Sequence, residues 1–258
     1  LRDVPVNVPS FGDAGQTFDP FVYLGLLSGA TERIGLGVAS IILPLRHPAH
    51  VAKSAASVDV LSGGRLLLGV ASGDRPEEYP AMNMEFESRG ARFRDSVTYI
   101  RAMAEDYPQV QTHKGTLTGE IDMLPKPVAG RIPLLITGGS RQDPNWVAQN
   151  GDGWITYPRN PAKQGHVVSE YRARIDALGL PPKPVIQSLY VDVQPDANTD
   201  PSPIHLGFAS GTVFLRQYLR EVRASGINHV ALNLRFNHAD VEDTMKRIAD
   251  DLLPEFSP

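Results

Sequence analysis

Four short clusters of small, hydroxyl and charged residues each follow an apolar stretch, and these are where the chain could do chemistry. The first joins Gly37-Val-Ala-Ser40 to Pro44-Leu-Arg-His-Pro48. Small residues late in a strand let a flat ligand approach the backbone. Arg46 and His47 then add a fixed charge and a titrating group. The plainer account is that Gly37 and Ala39 are small for packing and that Arg46 and His47 start a helix. The second cluster is Ser72-Gly-Asp-Arg75, past the apolar run Leu66–Val70. In parallel α/β folds ligands sit at the carboxyl ends of strands, which suits Gly73 and Asp74. A solvated turn explains the same residues.

The third cluster is Thr137-Gly-Gly-Ser-Arg-Gln142, a glycine turn into a short helix. Backbone N–H groups there and the helix dipole favour an anion, so phosphate is the natural ligand for Gly138, Gly139 and Ser140. An ordinary turn fits equally well. The fourth is Thr156-Tyr-Pro-Arg159, with two hydroxyls and a guanidinium for a polar ligand. Other chemistries lack their patterns. There is no lysine after the second glycine as in a Walker loop, no G-x-G-x-x-G and no G-x-S-x-G elbow. His47 and His50 stand three apart without a third ligand of fitting spacing, so no metal site is expected. Trp146 and Trp154 read as core.

Composition bounds the rest. The chain has 258 residues, 41% hydrophobic, which suffices for a large core. A net charge of −4 with no basic run argues against nucleic-acid and anionic-membrane partners. With no cysteine, disulfides and thiolate chemistry are excluded. No apolar run approaches a membrane span and no signal peptide is visible, so a cytoplasmic location is expected.

The elements that must position the clusters alternate regularly. Strands are expected over Ile34–Leu43, Arg65–Val70, Pro133–Thr137, Gly153–Tyr157, Val185–Val193 and His229–Leu234. Leu66–Val70 reads as buried on both faces. Helices are expected after Asp19-Pro20, over His50–Leu61, after a Ser88 cap, over Pro144–Asn150, over Pro161–Leu178 with Leu178 inward, and over Thr212–Ser225. A last helix is expected to turn Val241, Met245, Ile248 and Leu252 inward. Leu1–Phe18 reads as a polar lead-in, and Gln194–Pro203 as a surface loop or an excursion over the site. Strand–helix alternation implies a parallel sheet with helices outside. Six strands of this type are two short of a closed (β/α)8 barrel.

Jointly, several runs resemble the bacterial luciferase-like flavin monooxygenase family. They are T-E-R-I-G-L-G at 31–37, L-P-L-R-H-P at 43–48, D-V-L-S-G-G-R at 59–65, L-G-V-A-S-G-D at 68–74, P-L-L-I-T-G-G-S at 133–140 and A-Q-N-G-D-G-W at 148–154. A-S-G-D-R-P-E-E-Y and the late H-V-A-L-N-L are similar to its luciferase-type oxidoreductase subgroup. The resemblance implies a single (β/α)8 TIM-barrel domain over 1–258, lacking its first strand-helix-strand segment and so N-terminally truncated. It implies FMN, or in some branches the deazaflavin F420, at the carboxyl face of the strands. Ala39 and Ser40, joined by a cis peptide in several members, would lie beside the ring, with Gly73 and Asp74 approaching it. Gly138, Gly139 and Ser140 would hold the phosphate, near Thr156 and Tyr157. Asp74, His47 and Arg46 are the candidate catalytic residues. The implied activity is oxygenation of a small organic substrate by reduced FMN and O₂, with a separate flavin reductase and a homo-oligomer, a dimer. An F420-dependent hydride transfer and a non-catalytic flavin-binding homologue are the alternatives.

Overall fold

In the computed structural model, residues 1–11 and 17–256 are described, so residues 12–16 of the lead-in lie outside the described residues. The chain divides into two compact units, Leu1–Asp152 and Gly153–Pro258, where one domain over 1–258 is the expectation.

The first unit is built on three parallel strands, β1 (Leu36–Ile42), β2 (Leu66–Ala71) and β5 (Leu134–Thr137). Leu36 lies opposite Leu66, and Leu68 opposite Leu134, so β2 is the middle strand. Four helices accompany them: α1 (Pro20–Ala30), α2 (Pro48–Leu61), α4 (Arg89–Met103) and α5 (Pro144–Asn150). The single turn α3 (Glu78–Ala81) follows the loop after β2. Starts are set by local chemistry. The Asp19 carboxylate accepts the N–H groups of Phe21 and Val22, with Pro20 pre-set for the first turn. Asp143 does the same for α5. Ser88 stands at the α4 cap position, but its hydroxyl donates to the Glu85 carbonyl instead of capping the helix. Leu24, Ile41, Leu68, Phe93, Leu134 and Ile136 are fully buried and form the core.

One expectation fails here. Leu67 is 42% exposed, so β2 is covered on one face along its first half only. Between α4 and β5, β3 (Gln109–Thr112) and β4 (Gly115–Thr118) pair as an antiparallel hairpin.

The second unit is organised on the long strand β7 (Val185–Val193). Parallel to it run β6 (Gly153–Thr156), β9 (Gly207–Ser210) and β10 (His229–Asn233). β8 (Ser202–Ile204) folds back on β9 as a hairpin, in part of the stretch expected to be plain loop. Helices α6 (Pro161–Ala177), α7 (Thr212–Ala224), α8 (Val241–Asp251) and the short α9 (Leu253–Phe256) complete it. Val168, Ile175, Leu189, Leu215 and Val222 are buried. Gln187, also buried, donates from its amide nitrogen to the Tyr218 hydroxyl at 2.9 Å. Leu178 is exposed, and α8 turns Thr244 inward while Val241 and Met245 stay exposed.

The six expected strands are all present. Neither unit closes a barrel by itself, because three parallel strands in one and four in the other cannot meet the eight that closure needs. Among the described residues no helix is long and apolar enough to cross a membrane.

Candidate functional site

Three of the four clusters meet at the carboxyl ends of β1, β2 and β5. The Ser40 hydroxyl at the end of β1 hydrogen-bonds the Thr137 hydroxyl at the end of β5. β2 runs between them, so Ser72, Gly73 and Asp74 emerge in the gap. The Ala39–Ser40 peptide is cis, at the position the sequence singled out. Thr137 opens the third cluster, but sequence reasoning assigned it no role separate from the glycine turn. Its signal was a hydroxyl closing an otherwise apolar strand.

Gly73 is required where it stands. Its φ is +79°, and a Cβ there would come within 2.7 Å of the Tyr79 hydroxyl and 2.8 Å of Ile42 Cγ2. Tyr79 is fully buried and donates to the Ser72 carbonyl, which fixes the loop. Burial, with smaller contributions from the neighbouring Glu78 and Asp74 charges, pushes the Tyr79 phenol up to about 12, so it stays a donor. Asp74 itself is exposed, whereas Arg75 is buried with Glu78 at 3.7 Å. Arg75 is thus a structural ion-pair partner, not a solvated group.

The glycine turn adopts left-handed conformations at Gly138, Ser140 and Arg141, with φ of 55°, 44° and 61°. Ser140 donates to the Thr137 carbonyl at 2.8 Å. Gln142 braces the turn, donating to Gly90 and Ser140 carbonyls and accepting from Arg94 at 2.9 Å. The helix that follows offers no anion seat, because Asp143 already takes the Asn145 and Trp146 N–H groups. The turn carries the Ser140 hydroxyl and Arg141, and Gln142 holds the Arg94 guanidinium beside it.

Arg46 and His47 are held by structure. Arg46 forks onto Asp3 with Nε at 2.9 Å and Nη2 at 2.6 Å, and Nη2 also reaches Asp19 at 2.7 Å. Burial disfavours its charge, but the two carboxylates outweigh that and raise its pKa above the ordinary value. Asp3 also accepts the Ile42 N–H at 3.0 Å, so the pair pins the corner after β1. His47 caps α2, its Nδ1 accepting from the Ala49 N–H at 3.3 Å. Its Nε2 lies 2.9 Å from the Lys114 carbonyl. A proton on Nε2 with a lone pair on Nδ1 satisfies both contacts. Neither Asp3 nor the Lys114 contact had a local signature in the sequence.

In the second unit, Thr156 is buried and accepts from Arg159 at 2.8 Å. The same guanidinium nitrogen reaches the Tyr157 carbonyl and Gln164. Arg159 therefore fastens the end of β6, and the Tyr157 side chain is 45% exposed.

A family model described as luciferase-like monooxygenase matches residues 8–256. An uncharacterised protein of Mycobacterium tuberculosis is 34% identical over 161 residues, which cover 59% of this chain and 57% of that protein. The oxygenase component of a flavin-dependent trigonelline monooxygenase from Acinetobacter baylyi is 32% identical over 50% of this chain and 34% of its own length. An F420-dependent hydroxymycolic acid dehydrogenase of M. tuberculosis is 29% identical over 65% of this chain and 47% of its own. The matched stretches thus span less than two thirds of these curated relatives. Among solved structures, a monooxygenase from Streptomyces bottropensis superposes with a TM-score of 0.80 at 19% identity, covering 93% of this chain and 83% of that one. An F420-dependent secondary alcohol dehydrogenase does so at 0.79 and 16% identity, covering 94% and 86%. At such identities the likeness shows a shared α/β fold of the luciferase-like barrel type.

Proposed function

We propose that this chain, which belongs to the luciferase-like monooxygenase family, is the cofactor-binding part of a flavin-dependent oxidoreductase, a monooxygenase acting with reduced FMN and O₂ on a small organic substrate. The observation that carries the reading is the joining of Ser40 to Thr137 across the end of β2. It sets two hydroxyls, the Gly73 backbone and the Gly138–Ser140 turn along one edge, all small enough to admit a flat ring and a phosphate.

The residues present fit such a group. Gly73 and Gly138 leave no Cβ on the edge, and Ser40 and Ser140 can turn their hydroxyls to a carbonyl or phosphate oxygen. When bound, the flavin would supply the redox chemistry. The chain's own residues bind and orient it. The turn takes the phosphate, with Arg94 and Arg141 balancing its charge. Asp3 and Arg46 act as positioning residues by holding the Ser40 corner, and His47 holds the start of α2. Asp74, exposed beside the edge, is the candidate for proton exchange with a substrate. Thr156 and Tyr157 are further candidate cofactor contacts on the second unit.

A separate flavin reductase accords with the name of the Acinetobacter relative, an oxygenase component. A homo-oligomer accords with α1, whose Val22 and Leu26 are exposed next to the exposed Phe18 that precedes the helix. F420-dependent hydride transfer is the second reading, favoured by the mycobacterial dehydrogenase and its structural counterpart.

Absorption titration with FMN and with F420 tests the proposal, followed by oxygen uptake with chemically reduced FMN. Saturable FMN binding with uptake supports the monooxygenase. Binding of F420 alone transfers support to the second reading. FMN binding without uptake leaves a flavin binder, and binding of neither ends both enzyme readings.

A further inference from the structure

We infer that the first unit carries a second binding site, at the amino end of β5 and away from the carboxyl-end edge, shaped for a short aliphatic monocarboxylate. A hollow of about 280 Å³ lies between α2, the end of α4 and the segment that leads into β5. Ala52, Ile100, Ala104, Met123 and Ile132 wall it. Ala52 and Ala104 carry only a methyl group each, so the two helices leave room that larger side chains would close. Met123 is an adaptable wall, because an unbranched thioether chain repacks readily around a guest. An alkyl chain of about three or four carbons suits these walls in size and in chemistry.

The guanidiniums of Arg101 and Arg131 complete the lining. They share one carboxylate. Asp152 pairs with both arginines and also accepts the Leu134 N–H at 2.8 Å. The remaining contacts of Arg101 are to neutral groups, the Ile132 carbonyl at 2.9 Å and the Asn150 carbonyl at 3.4 Å. Lys126 pairs with Asp122 at 2.6 Å and with the solvent-facing Asp106 at 3.7 Å, so it adds no free cation. Two guanidiniums facing one carboxylate leave a positive charge at the hollow. Burial disfavours the charge on both, and Arg101 adds its repulsion at Arg131. Arginine keeps its proton in proteins, so a bound anion is what offsets that charge. The Arg131 side chain is 58% exposed against 28% for Arg101, which sets Arg131 at the mouth. There its fork can meet a carboxylate while Arg101 stays fastened to the backbone.

The ligand class follows from the two halves together. A purely apolar guest leaves the cationic mouth unmatched. A bare inorganic anion makes no use of the apolar walls, and a dicarboxylate would bury a second charge among Ile100, Met123 and Ile132. A carboxylate with a short alkyl tail meets both halves. The site shares no residue with the edge from Ser40 to Ser140, so it stands or falls apart from the cofactor reading.

The test is a titration of the whole chain, isotope-labelled at its methionine methyls, with butyrate and with butyramide, which has the same shape and no charge. The Met123 resonance is identified as the one lost in Met123→Leu. Saturable movement of that resonance by millimolar butyrate is expected. Butyramide should bind at least about fivefold more weakly, since the charged contact is made at a partly exposed mouth. Arg131→Gln should weaken butyrate about fivefold and leave butyramide as it was. Ala104→Leu should fill the hollow and abolish both shifts, with the other methionine resonances in place to show an intact fold. Absence of a saturable Met123 shift, equal affinity for the two compounds, unchanged butyrate affinity in Arg131→Gln, or a shift that survives in folded Ala104→Leu would each overturn the assignment.

Discussion

Replacing Arg46 with methionine isolates what that residue does. In the structure its guanidinium forks onto Asp3 and touches Asp19. Without it, the Asp3 carboxylate, whose side chain is 1% exposed, keeps only the Ile42 N–H. Breaking a buried pair from one side costs about 3–5 kcal/mol, since a charge stays buried without its partner. Arg46 is 26% exposed, so water relieves part of that and about 2–4 kcal/mol is the expected loss. With a urea dependence of about 1–3 kcal/mol per molar, the unfolding midpoint should fall by about 0.7–4 M. Asp3→Asn removes the stranded charge and still accepts from Ile42. The double variant should therefore recover roughly 2 kcal/mol relative to the summed single losses. Urea unfolding followed by circular dichroism measures all four proteins. A midpoint shift under about 0.3 M for Arg46→Met, or strict additivity, would refute the positioning role.

Other perturbations address neighbouring parts. Gly73→Ala forces a Cβ into the Tyr79 hydroxyl at a positive φ. Strain and overpacking together should cost about 2–4 kcal/mol in urea unfolding, and flavin affinity should fall with it. Tyr79→Phe leaves the Ser72 carbonyl without its buried donor and should cost about 1–3 kcal/mol. For Asp19, burial opposes ionisation, but the Arg46 contact and the Val22 and Phe21 N–H groups prevail and lower its pKa. Its stabilisation is therefore complete above the unfolded carboxylate value near ~4 and is lost as pH falls through the lower folded value. Thermal unfolding of Asp19→Asn across acid pH should show a flatter profile than the parent chain. For α1, Val22→Glu should convert any homo-oligomer to monomer in sedimentation, because that residue is 73% exposed and its loss leaves the core intact.

What could be read in advance follows from the range of the forces. Asp19-Pro20 and Asp143-Pro144 are local signals, and both open helices as the spacing predicts. The six strands were each expected from the sequence, and each is found within two residues of its expected bounds. Periodicity misleads where an apolar side chain has no partner to bury it. Leu67, Leu178, Val241 and Met245 fit their stripes yet stay exposed. The β8–β9 hairpin hid in a polar, proline-bearing stretch, because its pairing is set by β7 and not by its own residues. At the candidate site, the small residues and the cis Ala39–Ser40 peptide were legible. The commitments of Arg46 to Asp3 and of Ser40 to Thr137 were not. Partners 43 and 97 residues away leave no trace in local pattern.

The account's central claim is that the edge from Ser40 to Ser140 seats the cofactor. It is tested most directly by calorimetric titration of FMN into the chain and into Ser140→Asp. Aspartate tolerates the left-handed backbone there, so the fold should hold while a carboxylate meets the phosphate. The account predicts saturable binding to the parent chain and at least about a tenfold loss in the variant, some 1.4 kcal/mol. Equal affinity in the two proteins, or no binding to either, would contradict it.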